Sequence, residues 1–347
     1  MDTYNTYDTY ETNTSNNTNE IRKVFNWIGL SYFVFMVVEI GASFLLSFIL
    51  KSMNISGLNS WATYILGLAP IWAFGFPVCY LMLRKVPAKR PADEVMKPKY
   101  LVQFYLMLTF MMIGGSIIGN MISYVLENGV GIIIKNDTID LISKQKILPS
   151  IIFAVILGPI LEELAFRKLL LDRVSGYSKK YTIILSGIMF GLIHTNLYQF
   201  FYAFFIGMVF AYIYTITGKL RYSVILHMTV NFIHGILPMI FLKHIDTDEA
   251  LELSTMDKTN PAYTQKMTQL LSNPYMLSYV LYIIILLIFV VAGIIIFALN
   301  HRQLKVNDSQ SPLQKPEAVP AIFYNLGMIL FFIITIGYSI FEIVLMN

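Results

Sequence analysis

Two adjacent carboxylates, Glu162 and Glu163, stand within an apolar run that begins at Ile151, and Arg167 follows four residues after the second. A charged group near the centre of a bilayer costs roughly 2.5–3.5 kcal/mol on insertion scales, so such a doublet must be paired, hydrated or chemically employed. Adjacent helical residues point about 100° apart, so the two cannot both face one reacting atom. Glu163 has Arg167 at i,i+4, a carboxylate followed by a cation in the favourable order, whereas Glu162 has Phe166 there. Glu162 is therefore the carboxylate free to act as a general base, and the chemistry it suits is the activation of water. Two histidines in apolar stretches extend the set: His194, preceded at i−4 by Phe190, and His227, followed at i+4 by Asn231. An imidazole N–H and an amide N–H one turn apart could donate together to one acceptor.

Positioning these groups falls to membrane-crossing helices. Hydrophobic residues make up 56% of the 347 and charged residues 13%, against roughly 25% charged in a soluble domain. Apolar runs of about 20 residues recur, each long enough to cross a hydrocarbon core about 30 Å thick. The sequence predicts an all-α fold, a polytopic integral membrane helical bundle of about nine transmembrane helices, at 24–50, 61–83, 100–126, 148–171, 181–197, 198–216, 221–243, 275–299 and 320–345. Residues 1–22 are polar without an apolar period and read as a disordered tail, lacking the pattern of a cleaved signal peptide. The expected organisation continues with N-terminal transmembrane helices over 23–147, a helical core over 148–243 that carries the candidate site, an extracytoplasmic loop over 244–274 and C-terminal helices over 275–347. The last two helices read as an appended scaffold, and the proline-bearing segments 84–99 and 301–319 as solvated linkers.

The net charge of +4 is not a nucleic-acid footprint, because the cations follow the positive-inside rule: with the N-terminus inside, the inner segments hold 18 of the 25 Lys and Arg. The expectation is an integral protein of a bacterial plasma membrane, N-terminus cytoplasmic and C-terminus extracytoplasmic. Its partner would be the lipid bilayer, with no nucleic acid. A single cysteine, Cys79, allows neither an intrachain disulfide nor a cysteine-based metal cluster. No duplicated half is visible, which counts against a proton-coupled transporter. Gly114-Gly115-Ser116 reads as a packing cluster rather than a serine nucleophile.

Glu162-Glu163-Leu-Ala-Phe-Arg167 fits EExxxR, Phe190-Gly-Leu-Ile-His194 fits FxxxH, and His227-Met-Thr-Val-Asn231 fits HxxxN. In this order on successive apolar spans, they resemble the motifs of the CPBP family, which includes the type II CAAX prenyl endopeptidases and the bacterial Abi proteins. The resemblance covers about residues 150–235. It implies an intramembrane glutamic endopeptidase that hydrolyses membrane-associated or prenylated, CAAX-type peptides by a glutamate-activated water, with no cofactor. Carried over by position, Glu162 would be the general base and His194 would help hold the water. His227 and Asn231 would donate to the oxyanion, Glu163 and Arg167 would form a buried supporting pair, and Phe190 would wall the imidazole of His194. Two alternatives stay open. One is zinc on Glu162, His194 and His227, since the family was long described as metalloproteases, although no H-E-x-x-H occurs. The other is a non-catalytic membrane scaffold or immunity protein.

Depth constrains how these groups meet. Counted from the basic residues flanking their spans at 1.5 Å per residue, Glu162 and His227 lie about 8–9 Å deep and His194 about 21 Å deep. The sequence therefore predicts an amphipathic interfacial stretch over 168–178, with the site opening toward the inner side. His234, Glu39 and Glu342 are further polar groups within spans that no motif claims.

Overall fold

A computed structural model describes residues 6–131, 145–304, 306, 308, 311–313 and 316–346, and among these it contains helices and turns but no strand. The long elements are α1 (Thr6–Ser52), α2 (Ser60–Leu83), α3 (Pro98–Val130), α4 (Ile147–Val174), α5 (Lys179–Leu192), α6 (Leu197–Thr217) and α7 (Leu220–Leu242). They are followed by α8 (Thr247–Thr255), α9 (Pro261–Ser272), α10 (Pro274–Asn300), α11 (Ala318–Phe323) and α12 (Leu326–Met346). Eight of the described helices are long and apolar enough to cross a membrane. Their outward faces carry large apolar side chains, among them Phe48 on α1 and Leu277, Leu287 and Leu299 on α10. Exposure of that kind is stable only against lipid.

Backbone contacts fix the direction of each helix. At one end Trp27 donates to Met82 O, Arg173 to Leu83 O, Lys89 N–H to Asp172 O, Glu94 N–H to Thr217 O, and Leu313 N–H to Tyr177 O. At the other end Lys146 N–H donates to Ser60 Oγ, Lys243 to Gln145 O, and Asn273 to His244 O. We call these the basic end and the far end. α1 and α12 run parallel, from the Asn26–Gly327 hydrogen bond to the Phe44–Phe341 ring pair, so the first and last helices point the same way.

Three expectations change. α5 has 14 residues, too short to span, because Asn196 caps α6 by accepting from Tyr198 and Gln199 N–H and so turns the chain before the far end. The segment 244–274 is not a plain loop but holds α8 and α9. The polar stretch expected as a disordered tail over 1–22 is helical from Thr6 onward: once α1 is nucleated, each added residue fixes one more hydrogen bond, and Glu20 pairs with Lys23 within it. Met1–Asn5, and Lys135, Lys144, Lys305 and Lys315 of the charge count, lie outside the described residues.

The cavity-bearing pair is α3 and α6, antiparallel from Phe104 against Tyr212 to Gly119 against Tyr198. Their closeness depends on Gly115, where a Cβ would stand 2.7 Å from the Tyr202 backbone, whereas at neighbouring Gly114 a Cβ meets nothing within 4 Å. Gly115→Ala is therefore expected to lower the unfolding midpoint in detergent by an amount corresponding to about 1–3 kcal/mol of overpacking. Gly114→Ala should leave it unchanged or raise it, since alanine is the better helix former. Equal effects of the two would show that this crossing does not hold the helices together.

Candidate active site

The two carboxylates end a short α-turn, Gly158–Glu163, between two wider π-turns, Ile151–Leu157 and Leu164–Leu169. Proline creates the first. The Gly158 N–H reaches back five residues to Phe153 O, and the next position, Pro159, has no N–H to offer Ala154 O. Asn231 Nδ2 donates to that orphaned carbonyl at 2.8 Å, which pins the HxxxN helix to the EExxxR helix. α7 repeats the device: Leu237 N–H bonds Phe232 O, Pro238 leaves Ile233 O unpaired, and Tyr282 of α10 donates to it at 3.1 Å.

Behind the doublet lies an ion pair. Arg167 and Glu163 have fully buried side chains and meet in a fork, Nε to Oε2 at 3.0 Å and Nη2 to Oε1 at 3.3 Å. A third donor, Nη1, goes to Ser186 Oγ on α5 at 2.7 Å, and Ser186 in turn donates to Phe166 O. Tyr32 of α1 donates to Ala165 O at 2.7 Å within the second π-turn. Phe190 is the aromatic wedge of the site. Its ring lies 5.4 Å from Phe166, 5.1 Å from His194 and 5.8 Å from His227, and the Arg167 guanidinium sits 5.0 Å from its centre.

His227 stands between the carboxylates. Its Nδ1 is 3.2 Å from Glu163 Oε1 and its Nε2 3.7 Å from Glu162 Oε2. Glu163 is thus engaged on every side, while the Glu162 side chain keeps 27% of its surface open. A cavity of about 460 Å³ brings together Glu162, Phe190, His194, His227 and Asn231, all predicted from the sequence. Glu163 and Arg167 lie outside its wall, supporting it. His234, which no motif claims, also lines it and bonds Tyr105 Oη at 3.3 Å.

A second cavity of about 470 Å³ shares Glu162, His194 and Gln199 with the first and is walled by Glu39, Ser43, Tyr338 and Glu342. The last helix therefore reaches the site, and with Tyr282 of α10 serving α7, the two C-terminal helices are more than an appended scaffold. Composition could not show this, because both helices are apolar nearly throughout.

The depth relation resolves differently from the expectation. Residues 168–174 are not an interfacial stretch: α4 runs on to Val174, and Leu170, Leu171 and Val174 are buried to 0% exposure. Arg167, counted as a flanking cation, lies inside the bundle. Measured from the true helix ends, Glu162 is about 18 Å from Val174 and His194 about 22 Å from Lys179, so they lie at one level. His227 joins them because α7 begins deeper, beneath the 84–97 segment that bonds Thr217 and Tyr222. Ser186, Tyr32 and Gln199 were missed by sequence reading. Only the prolines at 159 and 238 offered a signal, marking where carbonyls would need outside donors.

Among the described residues no three His, Cys, Asp or Glu side chains converge as ligands of one metal ion. Comparison with curated proteins and with solved structures gives no match. A family model does match, that of type II CAAX prenyl endopeptidase Rce1-like proteins, over residues 144–233. Those residues contain all three motifs, and over them this helical membrane protein is similar to the Rce1-like, CAAX-type prenyl endopeptidases.

Proposed function

We propose that the protein hydrolyses peptide bonds of membrane-associated or prenylated peptides by a water that Glu162 activates, without a metal, in a plasma membrane with its N-terminus cytoplasmic. The observation that carries this is the contrast between the two glutamates: Glu163 is sealed by Arg167 and His227, while Glu162 opens into the cavity opposite His194. Water held between Glu162 and His194 attacks the scissile carbonyl carbon as its proton passes to Glu162. The new oxyanion meets His227 Nε2–H and the second N–H of Asn231, the first being committed to Ala154. Collapse breaks the C–N bond, and Glu162 returns the proton to the leaving amine.

Charge balance supports the role of His227. An ionised Glu163, already facing a guanidinium, accepts from Nδ1–H, so Nε2 carries a proton only in the imidazolium form. Two carboxylates, Arg167 and an imidazolium sum to zero, the arrangement that makes such a buried cluster tolerable.

The test is cleavage of membrane-peptide libraries, prenylated and not, by purified protein in proteoliposomes. Activity is expected to survive a zinc chelator unchanged. Loss to the chelator and return with added zinc would replace the glutamate mechanism with a metal-dependent one.

A further inference from the structure

Packed side chains lie between the motif residues and the basic end, and the cavity of about 420 Å³ at that end, lined by Arg90, Asp93, Leu164, Lys168 and Lys219, does not include Glu162, His194 or His227. Below the Glu163–Arg167 layer lie Phe166, Leu170, Leu171 and Val174, each at most 1% exposed. Below these the 84–97 segment, Asp308 and Leu313 are laced onto α4, α5 and α6: Lys89 bonds Asp172, Glu94 bonds Thr217, Leu313 bonds Tyr177, and Asp308 accepts from Ser178, Lys179 and Lys180 at the start of α5.

Both cavities that touch Glu162 extend the other way. The first climbs α3 to Asn120, one residue past the point where Gly119 meets Tyr198 at the start of α6. That is about 24 Å beyond Phe104, which faces Tyr212 nearer the basic end. It also takes in Tyr64 of α2, bonded to Ser150 near the far-end start of α4. The second is walled by Glu39 and Ser43 on α1, about 20 Å or more past the Asn26–Gly327 contact, and by Glu342 on α12. Two independent walls therefore give one direction.

Charge supplies the side. The loops of the sealed end carry Arg84, Lys85, Lys89, Arg90, Lys97 and Lys99 in the 84–99 segment alone. The far-end segment 244–274 mixes its few cations with Asp246, Glu249, Glu252 and Asp257. Under the positive-inside rule the sealed end is cytoplasmic. We infer that this site is reached from the extracytoplasmic face, so that its substrate is a secreted or membrane-inserted peptide presented outside the cytoplasm rather than a cytoplasmic C-terminus. This rests on the hydrolytic reading of the same site and reverses the expectation of a site opening inward.

Thiol labelling tests the inference without requiring turnover. The chain's one cysteine, Cys79, is 2% exposed, so a Cys79→Ser background carrying either Asn120→Cys or Arg90→Cys gives two single reporters. Each is treated with a membrane-impermeant cationic methanethiosulfonate in intact cells and in inverted vesicles. Asn120→Cys is expected to react in intact cells and Arg90→Cys only in inverted vesicles. Reaction of Asn120→Cys from the cytoplasmic side, from both sides or from neither overturns the inference. Cleavage assays on the same reporters, with Glu162 intact, separate the two failures. Outward labelling of protein that cleaves nothing would sink hydrolysis and leave the direction of access standing, and inward labelling of an active protein would do the reverse.

Discussion

Glu162→Gln is expected to lower kcat for peptide cleavage by about 10²–10⁴-fold, the contribution of a positioned general base, while leaving the unfolding midpoint near that of the wild type. The carboxamide is nearly isosteric and cannot take a proton from water. Stability should hold because Glu162 takes no part in the fork that ties α4 to α5; its nearest charged neighbour is His227 Nε2 at 3.7 Å. Steady-state kinetics beside thermal melts of the same preparations give the answer. A variant that cleaves at the wild-type rate would remove Glu162 as the general base and assign the activation of water to another group.

The same contrast shows what the sequence made legible. Motif spacing alone separated Glu162 from Glu163, because i,i+4 geometry gives one of them Arg167 and the other Phe166, and the fork observed between Glu163 and Arg167 follows that rule. Apolar run length located the long helices for a similar reason, since bilayer thickness leaves little freedom. It failed at α5, where the run 181–197 is apolar enough but Asn196 caps the next helix and ends the pass early. Positions that depend on other helices were not legible. Glu342 lies on a helix whose other residues are almost all apolar, and its place beside Glu162 comes from the parallel packing of α12 on α1, which neither sequence pattern announces. The π-turns are a middle case. A shift from 3.6 to about 4.4 residues per turn over six residues leaves hydrophobic periodicity almost unchanged, yet Pro159 and Pro238 mark two of them, and the carbonyls they orphan explain why Asn231 and Tyr282 point where they do.

Arg167→Leu should be the most destabilising single change in the site, about 3–5 kcal/mol, because it leaves the Glu163 carboxylate buried and without its cation. Arg167 is 0% exposed and also donates to Ser186, so the loss spreads from α4 to α5. Arg167→Lys should recover part of this, since an ammonium restores charge without the fork. The informative protein is the double variant Glu163→Leu/Arg167→Leu. Replacing both members of a buried pair with apolar side chains is often neutral or stabilising, so its unfolding midpoint is expected to return toward wild type. Its activity is not expected to return. Glu163 Oε1 is what holds His227 Nδ1, and without it the imidazole loses the contact that fixes its orientation. Stability rescued without activity would establish that the pair positions His227 for chemistry. Activity returning together with stability would mean that Glu163 and Arg167 serve the fold alone, and that His227 is held by the rings of Phe190 and Phe210 around it.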